Sequence, residues 1–344
     1  MIKIGLFLNT NYGAEEPHLL RFRQALEQVR VARDHGFASV AIGQHFLTEY
    51  QKLQPVPMLA RLAAESGDMR LVTGILLLPL LNPVYVAEEL ATLDVVTEGR
   101  VIMGLGVGYR DAEFEAFGVA KAERGARFAE ALEVIKHLWT DEEVAFEGRF
   151  FHIPKFRPAT RPLQRPYPPI WVAAQNDAGV RRAARARAVL FMNPQATIAT
   201  LARQAELYRA AWREAGGSPP AELAAMKEVY IAPDMETALR EGRPYLEAKL
   251  KMYERWGQDR ELPRESAGFG ALTFDDIRKD RVIVGDPEHC IAEFRRYQRE
   301  VGINHFSVVV NWPGMEPWRV LRSLHLLGER VLPALRAEPL ASHR

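Results

Sequence analysis

Short apolar runs alternate with longer amphipathic runs along almost the whole chain, and this alternation restricts the folds that the chain can adopt. Apolar runs such as Ile2–Leu8 and Ser39–Gly43 have the length and composition of buried strands. Between the apolar runs lie segments such as Leu19–His35 and Arg124–Trp139, the second with apolar residues at every third or fourth position, as in a half-buried helix. Buried strands separated by helices predict a parallel sheet covered by helices, because parallel strands need crossover connections.

The number of strand–helix units distinguishes between the two common architectures of this α/β class. The predicted strands are Ile2–Leu8, Ser39–Gly43, Arg70–Leu78, Val101–Leu105, Ile170–Ala174, Ala188–Met192, Met226–Ala232 and His305–Val310. Eight units in 344 residues favour a closed (β/α)₈ TIM barrel over an open doubly wound sheet. We therefore predict a single barrel domain over residues 1–336 and a flexible tail over residues 337–344.

One segment, Gly257 to Val284, does not follow the alternation. It is polar, contains Gly268 and Gly270, and precedes the last predicted strand. Long loops without regular structure of their own are often functional, for example as lids over an active site. The sequence thus predicts an insertion before the last β/α unit that acts as a mobile lid.

Composition and charge argue against several classes of partner. A net charge of +1 gives no reason to expect nucleic acid or an anionic membrane. No apolar run approaches the roughly 20 residues of a membrane span, and the first one is too short for a signal peptide. The single cysteine, Cys290, excludes an internal disulfide, and the scattered histidines show no metal-ligand spacing. We expect a cytoplasmic protein without a metal site.

Candidate site residues follow the predicted strands, because the active site of a (β/α)₈ barrel lies at the carboxyl ends of its strands. These positions hold Gln44 and His45 after the second strand, Thr73 and Gly74 in the third, Gly106, Val107 and Gly108 after the fourth, and Ala174, Gln175, Asn176 and Gly179 after the fifth. We expect all of them to lie around one mouth of the barrel.

His45 is the main acid/base candidate, since a neutral imidazole at a strand mouth can accept or donate a proton near neutral pH. A structural histidine bonded to a carbonyl is the alternative. The glycines around Val107 let the backbone approach a flat or phosphorylated ligand, although they do not form the dinucleotide fingerprint. No hydrolase or metalloprotease motif is present, so a bound cofactor is expected to carry the chemistry.

A predicted helix starts near Asn176 and Asp177, which either cap it or leave its first amides to a phosphate. If a phosphate binds there, the Asp177 carboxylate should point away from it. The basic run that follows, Arg181 to Arg187, indicates an exposed helix face.

Four segments in order along the chain carry a resemblance to a known family. They are Phe37–Phe46, Leu78–Val84 continuing to Phe117-Gly118, Pro168–Ala174, and Val284–Pro287 continuing to Val331–Pro333. Together they resemble the bacterial-luciferase-like flavin-dependent monooxygenases. The resemblance implies a (β/α)₈ barrel with an insertion before its last unit, a reduced flavin, usually FMN, at the strand mouths, activation of O₂, and a homodimer.

The resemblance also assigns residues around the flavin ring. Thr73 and Gly74 should pass beside the ring, with a non-prolyl cis peptide between Gly74 and Ile75, and Glu88 should lie near it. Either Gln44 or His45 matches the catalytic histidine of the family.

Further residues match the phosphate site of the family. Arg127 matches its phosphate-binding arginine, with Arg124 as the alternative, and Asn176 and Gly179 match its phosphate loop. Val107 stands where luciferase has a second phosphate arginine, which implies weak, exchangeable binding of the flavin.

Three functions are compatible with these features. The first is a monooxygenase that uses reduced FMN from a separate flavin reductase, together with O₂, on a small, largely apolar organic substrate. The second is hydride transfer with the deazaflavin F420 on the same fold. The third is a barrel that binds flavin without turnover.

Overall fold

Eight parallel strands close into a barrel in the structure, a computed structural model that describes residues 1–337. The strands are β1 (Lys3–Phe7), β2 (Ser39–Ile42), β3 (Arg70–Thr73), β4 (Val101–Gly106), β5 (Ile170–Ala174), β6 (Val189–Met192), β7 (Ala224–Ile231) and β8 (His305–Val309). Each strand pairs with its sequence neighbours, and β8 pairs with both β7 and β1. The last pairing closes the ring and confirms the predicted (β/α)₈ barrel.

Helices cover the outside of the barrel. They are α1 (His18–Asp34), α2 (Pro55–Leu62), α3 (Pro83–Val96), α4 (Asp111–Ala116), α5 (Arg124–Thr140), α6 (Asp177–Arg185), α7 (Ile198–Glu214), α8 (Met235–Arg255), α9 (Phe274–Asp280), α10 (Pro287–Val301), α11 (Pro317–Leu326) and α12 (Leu332–Arg336), the last two joined by a π turn. Local sequence sets several of their starts. At α3, for example, the Asn82 side chain accepts a hydrogen bond from the Val84 amide. Pro83 occupies the first helical position, where the N–H that proline lacks would have no partner within the helix. None of the described helices is long and apolar enough to span a membrane.

Short strands outside the barrel ring shape the barrel mouth. Asn11–Tyr12 and Gln51–Lys52 form an antiparallel pair, here called the mouth ribbon, between the first and second barrel units. The third predicted strand is shorter than expected: β3 ends at Thr73, and the Gly74–Ile75 peptide that follows is cis, as the family resemblance implied. A surface hairpin is also present, with strands Val144–Glu147 and His152–Phe156.

The insertion before the last unit is confirmed, and it contains more regular structure than predicted. Between β7 and β8 the chain forms α8, 3₁₀ turns at Gln258–Glu261 and Phe269–Ala271, α9, a short strand at Ile283–Gly285 and α10. The first of these turns reaches the barrel mouth, while the short strand extends the sheet beside β7. That this segment moves as a lid stays a prediction. Residues 338–344 of the predicted tail lie outside the described residues.

A polar network lies at the amino-terminal end of the barrel, opposite the mouth, and its Ser39 and His305 side chains are buried. Ser39 Oγ lies 2.9 Å from His305 Nε2, and His305 Nδ1 lies 3.3 Å from Glu222 Oε2, which also accepts a bond of 2.8 Å from Lys3. Burial alone would raise the pKa of Glu222, but its bonds to His305 and Lys3 outweigh this effect and lower the pKa to about 2. The ionised carboxylate therefore ties β1 to β8, the pair that closes the barrel.

Replacing this carboxylate should destabilise the barrel in a pH-dependent way. A group with a depressed folded-state pKa stabilises the fold above its unfolded pKa, about 4.3 for glutamate, and loses this contribution as the pH falls towards the folded value. We expect Glu222→Gln to lower the free energy of unfolding by about 2 kcal/mol at neutral pH, and less below about pH 4. Urea denaturation across this range measures the difference, with the exposed Glu214→Gln as a control without effect. A gap between Glu222→Gln and wild type that is independent of pH would contradict the assignment.

Candidate active site

A cavity opens at the carboxyl ends of the barrel strands, where the site was predicted. Most of the predicted site residues line it, namely Gln44, His45, Gly74, Gly106, Val107, Gly108, Ala174, Gln175, Asn176 and Gly179. Thr73, Glu88, Arg124 and Arg127 do not. Residues of β1 to β6 and the loops that follow them form most of the cavity, with further walls from Met226 of β7, Val309 of β8, α8 and the insertion.

One wall of the cavity is flat because glycines form it. A Cβ built on Gly74 would lie 3.1 Å from Phe7, and one on Gly106 would lie 2.5 Å from Ile75. Any side chain at these positions would displace Phe7 or Ile75, both of which also line the cavity. Glycine thus lets the backbone of β3 and β4 form a smooth surface that suits a planar ring.

Thr73, which was predicted to pass beside a flavin ring, does not line this cavity. Its hydroxyl donates to the Gly104 carbonyl at 2.9 Å and accepts from the Gly104 amide at 2.8 Å, and the side chain is fully buried. These two bonds hold the Thr73 side chain against the backbone of β4, and it does not line the cavity. Its role is to lock β3 to β4 directly before Gly74.

His45 lies at the mouth with one ring nitrogen engaged. Nδ1 is 3.0 Å from Oε1 of Glu113, a carboxylate of α4 that is fully buried. The same oxygen accepts the Phe46 amide at 2.9 Å and lies 3.3 Å from the Arg110 guanidinium. Glu113 therefore orients the imidazole, and Nε2 is the nitrogen left for a ligand.

The surroundings of His45 favour its neutral form. Burial lowers the pKa of His45, while the Glu113 carboxylate opposes that shift and Lys52 and Arg110 add to it. The ring also makes edge contacts with Tyr109 and Trp256 at 5.7 and 5.2 Å. A neutral imidazole that donates through Nδ1 presents a free lone pair at Nε2, which is the form a general base requires.

Gln44 is the alternative match to the catalytic histidine, and both polar atoms of its side chain are hydrogen-bonded. Its Oε1 accepts the Leu77 amide at 2.9 Å, and its Nε2 donates to Gln54 at 3.3 Å. A neutral amide has no proton to exchange near pH 7. Between the two candidates, His45 is the one that has acid/base chemistry.

The opposite end of the cavity is cationic. Asn176 Oδ1 accepts the Gly179 amide at 3.0 Å and so caps α6, whose first turn lines the cavity. Asp177 turns away and binds Arg203 at 2.7 and 3.0 Å, as expected for a residue beside an anion site. Arg182, one turn further along α6, lines the cavity and pairs with no carboxylate of the described residues. The helix terminus and this guanidinium together form a site that fits a phosphate group.

The structure corrects the prediction that the basic run from Arg181 to Arg187 forms an exposed helix face. Arg181 and Arg185 are exposed, but Arg182 is half-buried against Phe128, 5.8 Å from its ring. Burial, together with the charges of Arg124 and Arg185, lowers the pKa of Arg182. The helical spacing in this run was the signal that separates Arg182 from its neighbours, but only its contact with Phe128 of α5 shows which face is covered.

Two residues assigned through the resemblance lie away from the cavity. Arg127 donates to the Pro79 carbonyl at 3.1 Å and stacks on Phe150 and Phe151. Its guanidinium group therefore packs against the surface hairpin and does not face the cavity. Glu88 is exposed on α3, in the outer ring of helices. The alternative to Arg127, Arg124, lies at the rim instead.

Arg124 bonds two groups that line the cavity. It donates to the Gly108 carbonyl at 3.0 Å and to both carboxylate oxygens of Glu261 at 2.8 and 3.1 Å. Glu261 belongs to the first turn of the insertion, so this pair ties the insertion to the rim of the cavity.

Several cavity residues come from segments in which no motif marked a site. They are Asn9, Asn11, Lys52, Tyr109, Lys249, Tyr253, Gln258 and Glu261. The mouth ribbon, α8 and the insertion bring them together from distant parts of the chain. Trp256, at the end of α8, stacks on Arg110 at 4.6 Å and so places the insertion over His45.

Comparison with known proteins identifies the class to which this barrel and its cavity belong. The sequence profile described as luciferase-like monooxygenase matches residues 2–305. The chain therefore belongs to the luciferase-like monooxygenase family, and the resemblance found in the sequence is confirmed. The fold is also that of solved relatives: the monooxygenase RslO1 from Streptomyces bottropensis superimposes with a TM-score of 0.84 at 30% identity, over 96% of this chain and 99% of the other.

Relatives within the family carry out different reactions. The oxygenase component of the flavin-dependent trigonelline monooxygenase of Acinetobacter baylyi is 32% identical over 159 residues, which cover 45% of this chain and 44% of that protein. The F420-dependent glucose-6-phosphate dehydrogenase of Kribbella flavida is 29% identical over 333 residues, or 91% of this chain and 94% of that protein. Family membership thus establishes similarity to both flavin-dependent and F420-dependent enzymes.

The pairing of Glu113 with His45 has a measurable consequence. Because Glu113 opposes the effect of burial, we expect Glu113→Gln to lower the pKa of His45 further. Titration of the His45 ring signals by NMR, assigned by comparison with a His45→Gln variant, measures this shift. Glu115→Gln, which removes an exposed carboxylate of the same helix, should leave the His45 titration unchanged. A raised pKa in the Glu113→Gln variant would contradict the ion pair.

Proposed function

We propose that this protein is a flavin-dependent monooxygenase that uses reduced FMN and O₂ to oxygenate a small organic substrate, with the reduced flavin supplied by a separate reductase. The observation that carries the proposal is the cavity itself. A flat glycine wall separates a neutral histidine, His45, from a cationic end at Arg182. Sequence identity of 30% with the monooxygenase RslO1 over nearly the whole chain supports oxygenation.

The residues present fit a flavin mononucleotide. Gly74 and Gly106 leave room for a planar ring against β3 and β4. The first-turn amides of α6, the Asn176 cap and Arg182 would hold the phosphate, with Arg124 at the rim. When bound, the reduced cofactor supplies the two electrons that activate O₂. Arg182 is the one arginine of the described residues that lines the phosphate end, which is consistent with an exchangeable cofactor.

The remaining residues prepare the site for proton transfer. His45 takes or gives a proton at Nε2, and Glu113 keeps its ring oriented. Burial raises the pKa of both Tyr109 and Tyr253, so their hydroxyl groups stay protonated and donate hydrogen bonds. The first turn of the insertion, tied down by Arg124 and Glu261, covers the rim and excludes water from the reacting groups.

F420-dependent hydride transfer is the second candidate function, and the 29% identity with a glucose-6-phosphate dehydrogenase over 91% of the chain favours it. Anaerobic titration with FMNH₂ and separately with reduced F420, followed by isotopically labelled O₂ and a panel of organic substrates, distinguishes the two. Binding of FMNH₂ and label in a product supports the monooxygenase. Binding of F420 alone, without O₂ uptake, overturns it.

His45 separates both enzyme functions from a barrel that binds flavin without turnover. We expect His45→Gln to reduce turnover about 100-fold or more while the affinity for reduced cofactor stays within about threefold of wild type. His152→Gln, an exposed histidine of the hairpin, is the matched control. Full turnover in the His45→Gln variant would show that the imidazole takes no part in the reaction.

Arg182 provides a test of the cofactor site that does not depend on turnover. We expect Arg182→Gln to weaken the binding of FMN about tenfold or more and to leave the binding of riboflavin, which has no phosphate, unchanged. Quenching of flavin fluorescence measures both affinities. Arg181→Gln, on the exposed side of the same helix, should change neither. Equal losses for FMN and riboflavin would show that Arg182 does not bind the phosphate.

A further inference from the structure

Lys52 brings an unbalanced positive charge to the cavity. It lies on the mouth ribbon, directly opposite Asn11, and both residues line the cavity beside His45. Among the described residues, no carboxylate pairs with its ammonium group, and the one charge that acts on it strongly is the ammonium of Lys249. A buried or half-buried lysine without a counter-ion is unusual, because an unpaired charge loses hydration without compensation.

Apart from Arg182 at the phosphate end, the other charged side chains that line the cavity have partners among the described residues. Lys249 lies 2.7 Å from Glu228, which also accepts the Trp312 indole N–H at 2.7 Å. Glu113 is shared by His45 and Arg110, and Glu261 is paired with Arg124. Lys52 and Arg182 are therefore the two cations of the cavity without a carboxylate partner among the described residues, and Lys52 is remote in the sequence from the phosphate end at α6.

Buried polar atoms without partners lie on the same cavity. They are Asn11 Oδ1, Tyr109 OH and Gln258 Oε1. Such atoms normally find a ligand or an ordered water, because leaving them unpaired costs about 1–3 kcal/mol each. The hydroxyl of Tyr109 can donate a hydrogen bond, so Lys52 and Tyr109 together present two donors to an anion. Other walls are apolar and include Phe7, Met226 and Val309.

We propose that Lys52 binds the carboxylate of the substrate, which is an organic acid with an apolar body. The proposal rests on the proposed function, since it places a substrate in the part of the cavity that a cofactor leaves open. It replaces the expectation of a largely apolar substrate with one of stated charge. The carboxylate binds at the mouth ribbon, and the apolar body extends over the flat wall towards His45.

The charge of Lys52 makes this binding dependent on pH. Burial and the Lys249 ammonium lower the pKa of Lys52 to about 7, so the empty cavity loses this charge as the pH rises through that value. Affinity for a carboxylate should then fall by about tenfold per pH unit above 7. The titratable groups that face Lys52 are His45 paired with Glu113, Lys249 paired with Glu228, Tyr109 and Tyr253.

Matched pairs of acids and amides test the proposal. Calorimetry near pH 6, with and without saturating FMN, compares benzoate with benzamide, hexanoate with hexanamide and nicotinate with nicotinamide. We expect at least one acid to bind about tenfold or more tightly than its amide, with the preference lost in Lys52→Met. Lys155→Met, which removes an exposed lysine of the hairpin, should keep the preference and its pH dependence. Lys52→Gln is the second variant if Lys52→Met is unstable.

Other results would overturn the proposal. These are equal affinity for acids and amides, no binding of any acid at millimolar concentration, or an acid preference that survives both Lys52 variants. A Lys52→Met protein that loses affinity for FMN but keeps the acid preference would assign Lys52 to the cofactor. Failure of wild type to bind FMN or F420 would refute the proposed function instead, and the acid preference without cofactor would still decide the role of Lys52.

Discussion

The pairing of β1 with β8 is the contact on which the rest of the structure depends. It joins the first and last strands of the chain and turns a parallel sheet into a closed ring. Closure places the carboxyl ends of all eight strands around one mouth, so that loops distant in sequence share a cavity. The Glu222, His305 and Lys3 network supports this seam from the other end of the barrel. The architecture therefore separates the groups that close the barrel from those that line the site.

Charge compensation organises the mouth. The buried charges of Glu113 and Glu228 have partners at hydrogen-bond distance, as low-polarity surroundings require. Arg182 and Lys52 depart from this pattern at opposite ends of the cavity. Two cations without a counter-ion in residues 1–337 fit a site that receives two anionic groups, one on a cofactor and one on a substrate.

Much of the fold and part of the site could be predicted because both follow local rules. Strand and helix periodicity predicted the eight units, and the barrel rule then placed Gly74, Gly106 and Asn176 at one mouth. The sequence did not show that the Thr73 hydroxyl bonds to the Gly104 backbone instead of lining the cavity, because that contact depends on the pairing of β3 with β4. Arg127 was preferred to Arg124 although each lies in the first turn of α5, and packing against the hairpin decides between them.

The sequence by itself determined the alternation, the closed barrel, the insertion before the last unit and the family. These depend on hydrophobic periodicity and on motifs within single segments, which the chain displays without folding. Only the tertiary structure decided that Glu113 orients His45, that Arg182 rather than Arg127 faces the cavity, and that Lys52 meets Lys249 there. Each of these depends on the approach of residues far apart in the chain, and the burial that changes their charges does not exist until the barrel has closed.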